Sequence, residues 1–478
     1  MLERMNNTQS VVARTPAAPV TAKDIDRLRR LVSGPVLGPG DQRYAGEAAG
    51  FNLAFRHQPA LIVGAANAGD VQEAVRFARD HGLPAAVAAT GHGPSIVADG
   101  AVLITTRRMT GMTVAPARRV ARTEAGVLSR QAVDQAAAAG LAPLVGSSPT
   151  VGVVGYTLGG GLSVTMGRAY GWASDHVRSL DVVTADGELR HVSPESGPDL
   201  FWALRGGKSN FGVVTAMEFG LFPVTRLFAG GLFYSGEHTA AVLHAFRELT
   251  SLAPNELTSS VALLRMPDRP SIPEVIRGKL TVNVRFSYLG SEAEGARLVA
   301  PLRAAAPVLA DTVQERGYAT FDVISPGPTE PTPSFDRMVL LDDLAPATVD
   351  ALVRLAGPDA DTPITVIDIR QLGGALTAPA GQPSAVSRPR PGFVMFALGV
   401  APVEKADVMW KAGRDLLDGL RPWLSDRKHG NFLTAPDASV EQTRLAFDEA
   451  DYARLQEIKA AYDPDNMFRV NYNIPPVR

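Results

Sequence analysis

The chain of 478 residues contains no cysteine at all. That absence rules out disulfides, thiolate-held zinc and every thiol nucleophile. Long hydrophobic runs are missing too: none approaches the roughly 18 residues that crossing a bilayer requires, so no membrane partner is expected. Blocks of like charge are also absent, and 47 Lys and Arg against 49 Asp and Glu leave a formal net charge of -2. Nucleic acid and anionic membrane surfaces demand concentrated basic charge, so neither is an expected partner. The opening MLERMNNTQSVVARTPAAPV lacks the apolar stretch of a secretory signal and reads as a flexible arm, with a cytoplasmic address as the default. What remains, 45% hydrophobic and 20% charged, is the composition of a soluble globular protein long enough for two domains.

Periodicity organises the first half as alternating strands and helices. ALIVGAA (60–66) reads as a buried strand, and GDVQEAVRFARDHG (69–82) as a helix capped by Asp70, with Glu73 completing a capping box. LPAAVAA (83–89) and AVLITT (101–106) are further strands, and VLSRQAVDQAAAAG (127–140) a helix stopped by Gly140. VRSLDVVTADGELRHV (177–192) is a hairpin turning at Asp186-Gly187. FGVVTAMEFGLFPV (211–224) is a strand closed by Pro223. After about residue 225 the texture changes. In KLTVNVRFSYLG, Leu280, Val282, Val284, Phe286 and Tyr288 recur with the period of a half-buried antiparallel strand. TPITVIDIRQLGG and GFVMFALGVAP add strands, with helices expected over 239–251, 346–357 and 403–420. Residues 324–335 and 376–392 are proline-rich loops, and one long helix is expected over 440–462.

Chemistry concentrates where glycine does. His92 stands between Gly91 and Gly93 directly after a strand. Glycines there let the backbone approach a ligand closely, which puts the imidazole at that ligand's surface. Residues 140–171 are rich in glycine and small hydroxyl side chains, a loop able to wrap a phosphate-bearing cofactor with its free N–H groups. Other readings fail on spacing. There is no G-x-G-x-x-G, and Gly207-Lys208-Ser209 cannot close a P-loop because Trp202 occupies the position its first glycine needs. No nucleophile elbow surrounds Ser148 or Ser209, and the eight histidines show no paired spacing, so no metal site is expected.

Four ordered stretches carry a resemblance: ATGHGPS, SPTVGVVGYTLGGG with GRAYGWASD, DLFWALRGGKSNFGVVT, and YDPDNMFRVNYNIPP. With them the chain resembles the vanillyl-alcohol-oxidase-type flavoproteins, in particular the berberine-bridge-enzyme-like branch. The resemblance implies an α+β fold. A two-part FAD-binding domain (20–225 and 431–478) would enclose a substrate domain (226–430) built on an antiparallel sheet. It implies FAD held covalently by His92, inside a loop of Ala89, Thr90, Gly91, Gly93, Pro94 and Ser95. A second cradle would be Ser148, Thr150, Val151, Gly152, Gly155, Tyr156, Gly159, Gly160 and Gly161. Gly212, Val213 and Val214 would complete it, with Asn471 and Asn473 from the tail.

Departures from the family pattern sharpen the expectation. Many relatives attach the flavin a second time through a cysteine where this chain has Ser148, so only the His92 bond can form. Tyr156 replaces a histidine, and Arg370 stands where plant members carry a carboxylate base. Asp368 lies on the same strand face as Arg370 and is either the base or only that arginine's salt-bridge partner. The other candidates are Tyr452 and Tyr472, since a phenol with pKa near 10 could serve if Arg370 supplied a neighbouring cation. The expected activity is an oxidase that takes hydride from an alcohol or amine carbon of a bulky hydroxylated small molecule. A glycosylated natural product of secondary metabolism or an oligosaccharide would qualify, with O₂ as acceptor and H₂O₂ as product. A dehydrogenase with another acceptor, and a flavin-containing drug-binding or resistance protein, are the alternatives. The lining is expected to hold few charges, and the oligomeric state is left open.

Overall fold

The computed structural model describes residues 20–477 apart from 94, 95, 271, 275, 389 and 391; the opening arm through residue 19 therefore lies outside the described residues. Three sheets carry the chain. The first has four strands, in the order Val36–Leu37, Leu61–Gly64, Val102–Thr105, Ala85–Ala88, and its last three are parallel. Helix Ala68–Asp80 links two of these strands and buries Val71, Ala74, Val75 and Ala78. Its cap is Asn67, whose side chain accepts the Asp70 N–H. The Asp70 carboxylate instead takes the backbone N–H groups of Ser33, Gly34 and Ala66, so it organises the neighbouring chain rather than the helix end.

The second sheet is antiparallel, in the order Met112–Ala115, Val120–Glu124, Val213–Gly220, Val177–Val183, Leu189–Val192. Asp186 and Gly187 turn its hairpin, with Gly187 at φ +80°. The third sheet has eight strands, all antiparallel. Its main path runs Val308–Asp311, Arg226–Ser235, Leu280–Tyr288, Leu257–Arg265, Val366–Gln371, Phe393–Val400, Ser334–Leu341, and Gln314–Gly317 also pairs with Arg226–Ser235. Helices Thr239–Leu252, Glu292–Ala305, Pro346–Ala356 and Ala406–Leu420 cover one face of it. There Val282, Val284, Phe286, Ile367, Ile369 and Met395 meet helix residues such as Phe246, Leu302, Leu352 and Leu420 in one core.

The opposite face is also buried, contrary to the half-buried strand that alternation suggests. Asn283, Arg285 and Ser287 lie between Val282, Val284, Phe286 and Tyr288, and all are buried. This face packs on the first half of the chain rather than on solvent. The Ser287 hydroxyl donates to the Thr165 carbonyl at 3.0 Å, and Arg168 donates to the carbonyls of Leu257 and Leu372. The helix expected over 440–462 is two helices, Val440–Arg444 and Glu449–Tyr462. They are separated where Ala446 and Phe447 turn into the core and Asp448 adopts extended backbone as the next N-cap. No helix among the described residues is long and apolar enough to cross a membrane.

Candidate active site

Strand Ala85–Ala88 delivers the chain into the His92 loop, which is fixed from beneath. Gly91 sits at φ +71°, and a Cβ there would fall 2.4 Å from the Gly50 Cα. Phe51 donates its N–H to the Thr90 carbonyl at 2.9 Å, and Arg107 donates to the Ala89 carbonyl at 3.0 Å. Gly93 carries no such constraint, for its missing Cβ faces open space. Pro94 and Ser95 lie outside the described residues. The His92 ring stacks on Phe51 with centroids 3.7 Å apart, and its Nε2 lies 2.8 Å from the Thr150 hydroxyl. Burial lowers the His92 pKa to about 4, so the ring is a neutral imidazole at physiological pH. Ser148, 3.1 Å from Thr150, completes this hydroxyl pair.

The second glycine segment closes on the first. A Cβ on Gly152 would touch Ala89 and Thr90, while the Val151 carbonyl accepts the Ser129 N–H. Tyr156, on the short helix Val153–Leu158, lies against Gly146 and Gly161; Gly155 on the same helix faces open space. Gly212 is at φ +152° because a side chain would strike the Val183 carbonyl. Val213 and Val214 direct their side chains into two cores, leaving only their backbone for a ligand. In the tail, Asn210 accepts the Ile474 N–H and donates to the Tyr472 carbonyl, fixing the segment that contains Asn471 and Asn473.

Gly159, Gly160 and Gly161 face a wall that reaches to the third sheet. A Cβ on Gly160 would lie 3.0 Å from the His429 ring, which stacks on Trp172 at 4.1 Å. From His429 the wall continues through Phe432 (5.2 Å) to Phe396 (5.4 Å), and the Arg370 guanidinium lies 4.3 Å over the Phe396 ring. Arg370 Nε donates to Asp368 Oδ2 at 2.9 Å, and Arg285 reaches the same oxygen at 2.9 Å. Asp368 is buried, yet the two guanidiniums hold its carboxyl below the usual range. Beside His429, Arg388 pairs with Asp175, and Lys208 packs on Gly159 together with Asn431. Burial, with Lys208 and Arg388 adding repulsion, lowers the His429 pKa to about 3. Its Nδ1 accepts the Asn431 N–H at 3.1 Å, which puts the imidazole proton on Nε2.

These surroundings fit a polar cofactor. Buried polar atoms are nearly always paired. Among the described residues, however, Tyr156 Oη, His429 Nε2, Asn471 Oδ1 and Asn473 Oδ1 have no hydrogen-bond partner. Tyr156 and His429 stand at the second glycine segment, Asn471 and Asn473 on the tail that Asn210 fixes, and a flavin's ring oxygens and nitrogens would pair with such atoms.

The expected catalytic residues do not form one cluster. Tyr452 is buried against Phe447, burial pushes its phenol up to about 12, and the charges bearing on it are Arg444 and Glu441 rather than Arg370. The tyrosine that Arg370 does bear on is Tyr156, whose phenol burial raises well above its usual value. Tyr472 donates its hydroxyl to the Leu433 carbonyl at 2.8 Å and lines a cavity of about 30 Å³ together with Lys208 and Asn471. Asp368 is the centre of a salt-bridge network. A lining poor in charge is likewise not what folds, since Arg285, Arg370, Lys208 and Arg388 all stand on or beside the wall. Sequence reasoning passed over His429, Lys208 and Arg285. The signal for Lys208 was a side chain interrupting glycines in RGGKSN, where the backbone takes φ +53°. His429 and Arg285 had no distinguishing local signal.

Comparison with known proteins agrees with this architecture. The family pattern described as FAD binding domain matches residues 59–193, and that described as berberine and berberine like matches residues 434–475. The chain is 30% identical to (R)-6-hydroxynicotine oxidase of Paenarthrobacter nicotinovorans over 464 residues, 93% of this chain and 97% of that one. Its fold is similar to the crystal structure of 6-hydroxy-D-nicotine oxidase from Arthrobacter nicotinovorans, at a TM-score of 0.79 and 26% identity, covering 93% and 98% of the two chains. It is also similar to xylooligosaccharide oxidase from Myceliophthora thermophila C1 in complex with xylobiose, at 0.79 and 22% identity over 95% and 100%. That last likeness is one of fold.

Proposed function

The chain belongs to the berberine-bridge-like branch of the FAD-linked oxidoreductases, and from that premise we propose an oxidase with FAD attached through His92 alone. The observation that carries this reading is the closure of two glycine segments around a neutral imidazole, with Ser148 where a second attachment would need a thiol. Bound FAD supplies the acceptor for a hydride leaving an alcohol or amine carbon and passes the electrons to O₂, giving H₂O₂. Ala89 to Gly93 and Ser148 to Gly152 would hold the cofactor from one side. Tyr156, His429, Asn471 and Asn473 would pair with its polar edge. The wall from Trp172 to Arg370 would receive a bulky hydroxylated substrate, as the oligosaccharide and nicotine oxidases' names suggest for related sites.

Loss of a hydride from an alcohol requires loss of its O–H proton as well. Asp368, ionised and shared by two arginines, is a poor acceptor. His429 carries its proton on the nitrogen left free and therefore donates. Tyr472, whose hydroxyl donates to the Leu433 carbonyl, lines the same cavity as Lys208, and we assign proton removal to this pair.

Acid-denatured protein should keep flavin fluorescence on the polypeptide, and His92→Ala should lose it. Release of all flavin from the parent by acid would sink the attachment. Tyr472→Phe should slow anaerobic flavin reduction about 10²- to 10⁴-fold with attachment intact. Air reoxidation of the reduced protein within seconds supports an oxidase, whereas a half-life of many minutes assigns another acceptor.

A further inference from the structure

Arg370 is held in an unusual way for a side chain with no partner at its tip. Its Nε is occupied by Asp368, and the plane of its guanidinium rests on Phe396. Its two terminal nitrogens have no hydrogen-bond partner among the described residues. The side chain is 18% exposed, so the fork is fixed from behind and open in front. The Asp368 carboxylate cannot neutralise it alone, because Arg285, itself buried, takes the same oxygen at 2.9 Å. Around Asp368 two guanidiniums share one carboxylate, and the other carboxyl on this face, Asp336, is raised by burial to about 6. Further along the wall Arg388 and Asp175 cancel, while Lys208 has no ion-pair partner among the described residues. The Arg285–Asp368–Arg370 cluster is net positive, and its open tip at Arg370 favours an anion over a cationic amine.

We propose that the substrate of this site carries a carboxylate, bound by the two free nitrogens of Arg370, beside the alcohol or amine carbon that is oxidised. Two parallel N–H donors in one plane match the two oxygens of a planar carboxylate, which is what makes arginine better than lysine for this anion. The aromatic wall of Phe396, Phe432 and His429 then lies between the carboxylate and the glycine loop, where a ring or hydrocarbon body would rest. This inference depends on the oxidase reading for the position of the reacting carbon, but not for the anion site itself.

The test uses flavin-loaded protein and two probes of equal shape, benzoate and its neutral amide, with binding measured by calorimetry. Benzoate should bind at least tenfold more tightly than benzamide. Arg370→Met should abolish that preference, and Arg370→Lys, which keeps the charge but not the fork, should recover part of it. Equal binding of the two probes by the parent overturns the proposal. So does an undiminished preference in Arg370→Met, which would assign the anion to another cation such as Lys208. If Arg370→Met does not fold, a full benzoate preference in Arg370→Lys overturns the fork and a reduced one supports it. The two readings fail separately. A yellow protein bleached anaerobically by neutral alcohols, without benzoate preference, loses only the carboxylate site. A protein that prefers benzoate but whose flavin no alcohol or amine bleaches loses the oxidase reading.

Discussion

The two faces of strand Val366–Gln371 are built by opposite rules. Ile367 and Ile369 meet the covering helices in a close-packed hydrocarbon core, while Asp368 and Arg370, alternating with them, turn the other way, Asp368 buried and Arg370 partly so. Burial on the first face stabilises by itself, at about 25 cal/mol per Å² of apolar surface. On the second face burial is unfavourable unless each charge finds a partner. One strand thus supplies stability with one face and a binding surface with the other. Breaking either face should give a different signature.

The largest effect is expected from Asp368→Asn. It leaves Arg285 and Arg370 side by side without their shared anion, and breaking a buried pair in this way costs about 3–5 kcal/mol. Urea unfolding should show a loss of that order. An unchanged midpoint would mean that water or an anion already neutralises the arginines, which would weaken the contrast between the faces.

Next comes acid. An unfolded histidine takes up a proton near pH 6.5, but folded His429 does so only near pH 3, because it is buried against Trp172 between Lys208 and Arg388. Between those limits the unfolded state binds the extra proton, so stability falls as pH drops below 6.5, by up to about 1.4 kcal/mol per pH unit from this group. His429→Gln should flatten the dependence of the unfolding midpoint on pH between 6.5 and 4. Carboxylates contribute equally to parent and variant, so an unaltered slope would show that His429 is protonated in the folded protein.

A smaller effect is expected on the hydrocarbon face. Ile369→Val removes one methylene from the core and should cost about 0.5–1.5 kcal/mol. Benzoate affinity should not move. A matching loss of affinity would mean that the two faces are mechanically coupled rather than independent.

The comparison also explains what sequence could convey. The hydrocarbon face was legible, since the period of Leu280, Val282, Val284, Phe286 and Tyr288 encodes both strand and direction. The glycine at 91 was legible as a position of close backbone approach, but the structure shows that approach to be to Gly50 of the same chain. The wall was not legible. Arg285 and Arg370 come from separate strands, and His429 and Trp172 from segments more than two hundred residues apart, so only tertiary pairing makes them neighbours. The same holds for the base. Tyrosine and arginine types were visible in the sequence, but tertiary packing sets the Arg370 charge near Tyr156 and puts Lys208, not Arg370, in the cavity that Tyr472 lines.

The smallest predicted effect concerns Phe396, the ring beneath the Arg370 guanidinium at 4.3 Å. A cation over an aromatic face gains about 0.5–1 kcal/mol where water has access. Phe396→Leu keeps the apolar volume roughly constant but removes the ring's negative face, so it should let the fork wander without deleting it. Benzoate affinity should fall about two- to fivefold, the equivalent of that energy, and benzamide affinity should hardly change. If the neutral probe loses as much as the anion, the ring touches the probe directly, and Arg370 is not the group it orients. If neither loses affinity, Asp368 alone fixes the fork from behind, and the aromatic wall serves the hydrocarbon body of the substrate only.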